Sequence, residues 1–148
     1  MYKHILIPTD GSDISDKGVR YGLDLAKSLG ANVTIVTVTP MWPPVEMALA
    51  ARHGNFTAAE DYQRLTGESA NEILSAAAKT AEALGVTAKV LHVQNSHPAE
   101  GVLSAAADNG ADLIVMASHG RRGLNRVLLG SIASEVVTQS TIPTLIVR

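Results

Sequence analysis

Residues Met116–Ser131 read MASHGRRGLNRVLLGS, a basic segment whose glycines are Gly120, Gly123 and Gly130. The apolar run before it, Asp112–Val115, has the composition of a buried strand, and the residues after Ser131 have helical spacing. Glycine costs backbone entropy, so it tends to lie where φ must be positive or where another group comes close. A strand, a glycine loop and a helix N-terminus in succession therefore favour an anion-binding site.

The composition is that of one α/β domain spanning residues 1–148, since 148 residues suffice for a single good core. Hydrophobic residues make up 46% of the chain but aromatic residues only 3%, so the core must be built from Val, Ile, Leu and Ala. The chain has no cysteine, which excludes disulfides and thiolate chemistry.

Charge and hydropathy narrow the class of partner. The formal net charge is −2, with 12 basic and 14 acidic residues, which argues against a general nucleic-acid or anionic-membrane binder. No apolar run approaches the roughly 20 residues that span a bilayer. Residues Met1–Pro8 enter a strand pattern directly and lack a signal-peptide layout, so we expect a cytoplasmic protein.

Short apolar runs alternate with helical stretches along the whole chain. The predicted strands are Tyr2–Pro8, Asn32–Thr39, Thr87–Val93, Asp112–Ser118 and Pro143–Arg148. The predicted helices are Ser12–Leu29, Thr57–Leu84, Pro98–Asn109 and Ser131–Ser140. Three of the helices run into a glycine that favours a left-handed stop, namely Gly30, Gly85 and Gly110. The alternation predicts right-handed crossovers and an open parallel five-stranded sheet with helices on both faces.

One connection, from Pro40 to Phe56, departs from this rhythm. Its prolines argue against helix at its start, although Val45–Arg52 has enough helix formers for a turn or two. It leaves the carboxyl end of the second strand, the edge where open α/β sheets bind ligands. A functional loop over the site and a disordered insertion are therefore both open interpretations.

Motifs for demanding chemistry are absent. The sequence has no P-loop, dinucleotide fingerprint, HExxH or GxSxG pattern. The histidines lack metal-ligand spacing: His4, His53, His92, His97 and His119. His4 and His92 fall in strands and are interpreted as structural, whereas His119 lies in the glycine loop. We therefore predict no catalytic residue and no metal site built from side chains.

Two segments converge on the predicted crevice. Residues Pro8–Ser12 (PTDGS) end the first strand and open the first helix, and MASHGRRG ends the fourth strand, its neighbour across the reversal of strand order. The carboxylate of Asp10 can accept hydrogen bonds from ribose hydroxyls or an adenine amine. Gly120 and the amides that open the last helix can meet phosphate oxygens. The backbone groups proposed for the phosphates are those of Gly130, Ser131, Ile132 and Ala133, with positive charge from Arg121, Arg122 and Arg126.

In these residues the chain resembles the universal stress protein family. The nucleotide-binding branch of that family carries G-x-x-G, nine residues and G-[ST]. Gly120, the nine residues Arg121–Leu129, and Gly130-Ser131 match this motif, with Ala117 in place of its first glycine. The opening KHILIPTDGS and the closing IPTLIVR also resemble the first and last strands of the family.

The resemblance implies a fold, a ligand and an assembly. The fold is adenine-nucleotide α-hydrolase-like, with strand order 3-2-1-4-5; the ligand is ATP with Mg²⁺; and the assembly is a homodimer. It places adenine and ribose against Pro8, Thr9, Asp10 and Val38. It places ribose and phosphates against Ala117, Gly120, Gly130, Ser131 and Ile132. Ser12, Met116, Arg122, Gly123 and Ala133 complete the predicted nucleotide-binding set.

Two departures and two alternatives accompany this reading. Ala117 adds a methyl group where backbone and ribose are expected to approach, and Ser96 stands where the family commonly has glycine. The first alternative is a stress protein that acts only through protein contacts, and the second is a slow ATPase. For assembly, the last strand is the predicted edge of the sheet, so pairing with a second copy is expected to cover its unpaired backbone groups.

Overall fold

The computed structural model describes residues 1–120 and 129–148. Within them, five parallel strands form one sheet in the order β3-β2-β1-β4-β5, as the sequence predicts. The strands are β1 (His4–Pro8), β2 (Asn32–Val38), β3 (Ala88–Val93), β4 (Leu113–Ala117) and β5 (Thr144–Val147). The helices are α1 (Asp13–Leu29), α2 (Pro44–Arg52), α3 (Ala58–Ala83), α4 (Pro98–Asp108) and α5 (Ser131–Gln139).

The core has two layers because alternate residues of each strand face opposite sides of the sheet. Ile5 and Ile7 of β1 pack with α1 and α3 on one face, and Leu6 packs with α4 and α5 on the other. All three side chains have 0% exposure, which explains why β1 reads as a continuous apolar run. The prediction of helices on both faces is confirmed.

Glycine ends three helices as predicted. Gly30, Gly85 and Gly110 have φ of 64°, 71° and 64°, the left-handed conformation that stops a helix at low steric cost. Each is followed within a few residues by a strand, so these glycines set the spacing of the βα units.

In the connection after β2, the predicted helical stretch Val45–Arg52 is confirmed, and only Pro44 departs from the expectation that the prolines oppose helix at the start of the connection. Helix α2 begins at Pro44, since proline has no N–H to lose at the first helical position and its φ already suits a helix. The connection is anchored by Trp42, whose ring stacks on Tyr62 of α3 with centroids 5.8 Å apart. The hydroxyl of Tyr62 also donates a hydrogen bond to the carbonyl of Pro40, at 2.8 Å. The segment is therefore an ordered helical excursion that rests on α3.

The sheet separates at the carboxyl ends of β1 and β4. Only Ile5 and Leu6 of β1 align with β4, whereas β1 stays aligned with β2 as far as Pro8. On the other side, β4 stays aligned with β5 as far as Ala117. Pro8 has no N–H to continue a ladder. The strand order reverses at this separation, so it is the expected crevice of an open α/β sheet.

Candidate functional site

Thr9 fixes the end of β1 to its neighbours. Its amide donates to the carbonyl of Val36 at 2.9 Å, and its carbonyl accepts from the hydroxyl of Thr37 at 2.7 Å. The Thr9 hydroxyl lies 3.0 Å from the hydroxyl of Ser15. Because these partners hold both its backbone and its side chain, Thr9 is a rigid platform for the residue that follows it.

Asp10 shapes the turn into α1. One carboxylate oxygen accepts the amide hydrogen of Ser12 at 3.0 Å, the local hydrogen bond that aspartate makes in turns. The N-cap itself is Ser12, whose hydroxyl accepts from the amide of Ser15 at 3.2 Å. Asp10 is therefore not the cap of α1, because Ser12 performs that role.

The two ends of the glycine loop meet at Ser118. The Ser118 amide donates to Val147 of β5 at 2.8 Å, and its carbonyl accepts from the amide of Gly130 at 2.8 Å. Its hydroxyl lies 3.0 Å from Nδ1 of His119. Ser118 thus joins the exit from β4, the edge strand and the start of α5, and it is buried, with 7% exposure.

Close approach by neighbouring groups accounts for glycine at two motif positions. A Cβ at Gly120 would overlap with the carboxylate of Asp10. A Cβ at Gly130 would lie 2.9 Å from the carbonyl oxygen of Ser118 and 3.3 Å from Cα of His119. Neither glycine has a positive φ. Of the two reasons for glycine in a loop, close approach is therefore the one that applies here.

Helix α5 presents its N-terminus at the same edge. Gly130 is the N-cap and has no side chain to hydrogen-bond the first-turn amides, which also lack partners within the helix. Ser131 and Ile132 are exposed, whereas Ala133 is buried in the core. The amides at this end carry the positive pole of the helix dipole, which attracts anions.

The other residues of the predicted nucleotide-binding set differ in whether their side chain or only their backbone can contact a ligand. Met116 is 6% exposed, and its side chain packs with α4 and α5, which leaves only its backbone for a ligand. Pro8 and Val38 are half-buried at the ends of their strands. The methyl group of Ala117 packs on the face of α1, beside Gly18, which differs from the expectation that it would crowd the crevice. Arg121, Arg122, Gly123 and Arg126 lie outside the described residues.

Two histidines are structural, as predicted. Nε2 of His4 lies 2.9 Å from the hydroxyl of Thr34, and Nε2 of His92 lies 3.0 Å from that of Thr39. Burial lowers the pKa of His92, because it disfavours the charged imidazolium. Across residues 1–120 and 129–148, His, Asp and Glu side chains form no group of three that could hold a metal ion.

Comparison with known proteins identifies the family. Residues 1–148 match the family model described as the universal stress protein family. The chain belongs to that family. The universal stress protein MJ0531 of Methanocaldococcus jannaschii is 35% identical over 150 residues, which cover 100% of this chain and 83% of the relative.

Solved structures agree on the fold of this universal stress protein. The protein MJ0577 superposes with a TM-score of 0.78 at 30% identity, over 99% of this chain and 96% of its own. A universal stress protein in complex with cAMP superposes with a TM-score of 0.70 at 25% identity, over 99% of this chain and 97% of its own. This chain and the two solved structures therefore share one fold over essentially the whole length of the chain.

Sequence reasoning missed three residues that shape the site of this universal stress protein. Ser118 joins the loop ends, Gly18 of α1 faces Ala117, and Gly101 of α4 faces Val38. A Cβ at Gly101 would lie 2.7 Å from a methyl carbon of Val38. Glycine inside a helical pattern is the signal that would have identified two of them, since it often marks a close packing contact.

Proposed function

We propose that this universal stress protein binds ATP, or a closely related adenine nucleotide, in the crevice between β1 and β4. The observation that carries the proposal is the contact between Asp10 and Gly120. It puts a carboxylate suited to ribose hydroxyls beside a glycine loop that leads to the uncapped N-terminus of α5. The relative in complex with cAMP supports an adenine nucleotide as the ligand.

The proposed orientation follows from the chemistry at each end of the crevice. Adenine and ribose lie against Pro8, Thr9, Asp10 and Val38, where a carboxylate and half-buried apolar side chains are available. Phosphates lie toward the start of α5, where amides and the helix dipole favour negative charge. Arg122 adds a guanidinium on the phosphate side in this proposal.

A divalent cation fits this site only as part of the nucleotide complex. The described residues supply no cluster of three metal-ligating side chains. Mg²⁺ keeps several waters and is commonly held through substrate phosphates with one or two protein oxygens. The proposed cofactor is therefore ATP with Mg²⁺ bound to its phosphates, which offsets charge that the protein would otherwise have to neutralise.

The proposed role is regulatory binding, with at most slow hydrolysis. His119 lies in the described part of the glycine loop, and its Nδ1 contacts the hydroxyl of Ser118. General-base catalysis needs a group within hydrogen-bond reach of the attacking water, and within residues 1–120 and 129–148 the geometry assigns no residue to that task. A stress-response module that changes partner affinity with its nucleotide state is the function we infer.

Assembly and location complete the proposal. We propose a cytoplasmic homodimer paired through β5, the edge strand of the sheet that the described residues form. No helix in the described ranges has both the length and the apolarity to cross a bilayer. We also propose a regulatory protein partner.

The decisive experiment identifies the ligand that the protein itself selects. Mass spectrometry of the small molecules released from denatured, freshly purified protein should show an adenine nucleotide. Calorimetry with ATP, AMP and cAMP in the presence and absence of Mg²⁺ then ranks them. Absence of copurified nucleotide together with no heat of binding at millimolar ligand would favour the alternative that acts only through protein contacts.

A further inference from the structure

Helix α1 approaches the end of β4 through a glycine. A Cβ at Gly18 would lie 2.9 Å from the backbone nitrogen of Ala117 and 3.4 Å from its methyl carbon. Real Cβ atoms essentially never come within 3.0 Å of another heavy atom, so any side chain at position 18 requires the strand or the helix to move. Gly18 is buried in the middle of α1, where glycine costs about 1 kcal/mol relative to alanine.

The direction of the Ala117 methyl group follows from the alternation of β4. Leu113 and Val115 face α1 and α3, and Met116 faces α4 and α5. Ala117 continues the first series, which is why its methyl group meets the notch at Gly18. The residue that replaces the first glycine of the motif therefore places its extra carbon against α1.

Gly22, one turn later on the same helix face, provides an internal comparison. A Cβ there would lie 2.6 Å from Cδ1 of Ile7, the far end of a flexible side chain. Rotation of Ile7 can relieve that contact, at the cost of core packing. The contact at Gly18 is with a backbone atom, and no side-chain rotation relieves it.

We propose that Gly18 is a positioning residue for the nucleotide crevice. It lets α1 support the end of β4 closely enough for residues 117–120 to reach Asp10, and its missing side chain accommodates the methyl group of Ala117. This inference rests on the proposed function, and it adds that Ala117 does not obstruct the nucleotide. Alanine at this motif position is then compatible with binding because of a residue on another element.

Three variants test the proposal against a purely structural role. Gly18→Ala should displace the end of β4 and weaken ATP binding by about tenfold or more. Gly22→Ala should lower thermal stability but leave the ATP dissociation constant within about twofold. Ala117→Gly should raise the ATP affinity by less than fivefold, since the methyl group that it removes lies beside Gly18 of α1 and does not crowd the crevice. Calorimetry gives the affinities, and thermal unfolding gives the stabilities.

The amide resonances of residues 117–120 provide a readout without nucleotide. In the free protein, Gly18→Ala should shift them more than Gly22→Ala does. Equal effects of the two glycine variants on affinity and on these resonances would overturn the positioning role. A gain of fivefold or more in ATP affinity for Ala117→Gly would overturn the placement of the methyl group, and that variant remains informative if Gly18→Ala fails to fold. If the unaltered protein does not bind ATP, the proposed function is refuted. The amide resonances of residues 117–120 in the free protein then still test whether Gly18 positions the end of β4.

Discussion

Gly120 passes so close to Asp10 that a side chain at position 120 would overlap with the aspartate carboxylate. The contact links residues that are 110 positions apart in sequence and that follow strands β1 and β4. Since the ladder between these strands ends at Leu6 and Ile114, this contact joins the two ends beyond the point where backbone pairing stops.

Substitution of Gly120 tests this relationship. Gly120→Ala should push Asp10 or the loop aside and weaken ATP binding by about tenfold or more, as measured by calorimetry. Gly67→Ala is the matched control, because a Cβ at Gly67 in α3 meets nothing within 4 Å. That control should keep its affinity and gain about 0.5–1 kcal/mol of stability from the better helix former. Full affinity in folded Gly120→Ala would contradict the site.

Asp10 is predicted to act on the nucleoside end of the ligand. Asp10→Ala should weaken adenosine and ATP by similar factors, because it removes an acceptor from the ribose. Asp10→Asn keeps an oxygen for the Ser12 amide, so it separates the loss of charge from the loss of the turn. Gly30→Ala, which strains the left-handed C-cap at the other end of α1 by about 1 kcal/mol, controls for the stability of α1.

Arg122 provides the opposite arm of that experiment. Its proposed partner is phosphate, so Arg122→Ala should weaken ATP binding while leaving adenosine binding unchanged. Titrations of both ligands against the Asp10 and Arg122 variants give four ratios. If the two variants discriminate between adenosine and ATP in the same way, the proposed orientation is wrong.

The sheet was predictable from sequence because its signals are local. Apolar runs such as Ile5–Ile7 mark buried strands, and the glycine stops at Gly30, Gly85 and Gly110 mark where helices end. The strands proved one or two residues shorter than predicted at several ends, since helix and strand ends depend on pairing that sequence does not display. The strand order is not fixed by such signals, since right-handed crossovers are compatible with several orders. The resemblance to the family predicts it, and the structure confirms it.

The details that sequence missed are contacts between distant elements. Proline opposes helix in the interior of a helix but favours it at the first helical position. Pro44 occupies that first position in α2, and the sequence alone does not show where α2 starts. The pairing of Gly18 with Ala117 depends on how α1 crosses β4, which no periodicity specifies. The resemblance to a family predicts where the site lies, whereas the reasons for glycine at positions 18, 120 and 130 are contacts between elements that are distant in sequence.

Trp42 reports on the excursion after β2. Its indole N–H donates to the carboxylate of Glu46 at 3.0 Å, and its ring stacks on Tyr62. Tyr62→Ala should release the indole to water and shift its emission to longer wavelength, with a loss of about 1 kcal/mol for the stacked pair. Tyr62→Phe keeps the ring and removes only the hydrogen bond to Pro40, so its emission should stay close to that of the unaltered protein.

The same fluorophore tests whether the excursion covers the site. Trp42 is the only tryptophan, so its emission is assignable without further variants. On saturation with ATP and Mg²⁺ we expect the emission to shift or quench. An unchanged spectrum at saturating ATP would place this segment away from the nucleotide.

Asp112 lies at the amino end of β4, the end opposite the candidate site. We expect it to make the stability of the protein depend on pH. Its carboxylate accepts from the amide of His4 at 2.9 Å and from that of Lys3 at 2.8 and 3.1 Å. These hydrogen bonds, led by the one from His4, lower the pKa of Asp112 by favouring its charged form. A lowered folded-state pKa contributes stability above the unfolded value of about 3.9, and that stability is lost as pH falls through the folded value.

Asp112→Asn isolates this contribution. At pH 7 the variant should be less stable by about 1 kcal/mol, a figure kept small because the site is partly exposed to solvent. The difference between the two proteins should shrink as pH falls from about 4 through the lowered folded-state pKa of Asp112, since the aspartate then becomes neutral like the asparagine. Urea titrations at several pH values measure it, and Asp24→Asn on the exposed face of α1 is the control. A pH-independent difference would contradict the assignment.

Strand β5 is the edge through which we propose dimerisation, and its register shows which backbone groups are available. The carbonyls of Pro143 and Val147 accept hydrogen bonds from β4, at 3.0 and 2.8 Å. Backbone groups alternate in direction along a strand, so those of Leu145 also face β4 and those of Thr144 and Ile146 face outward. An unpaired outward row is a template for a second strand.

Proline at position 146 therefore separates dimerisation from folding. Ile146→Pro removes a donor that faces outward and leaves the donors that face β4, so the protomer should keep its sheet while the dimer is lost. The side chain of Ile146 packs on the core, so the variant should also lose some protomer stability. Leu145→Pro is the contrasting variant, because it removes a donor to β4 and should destabilise the protomer itself. Light scattering at micromolar concentration should give twice the protomer mass for the unaltered protein and the single mass for Ile146→Pro, with circular dichroism confirming that the sheet is retained. A monomer mass for the unaltered protein would rule out the dimer, and a dimer that persists in Ile146→Pro would move the interface away from β5.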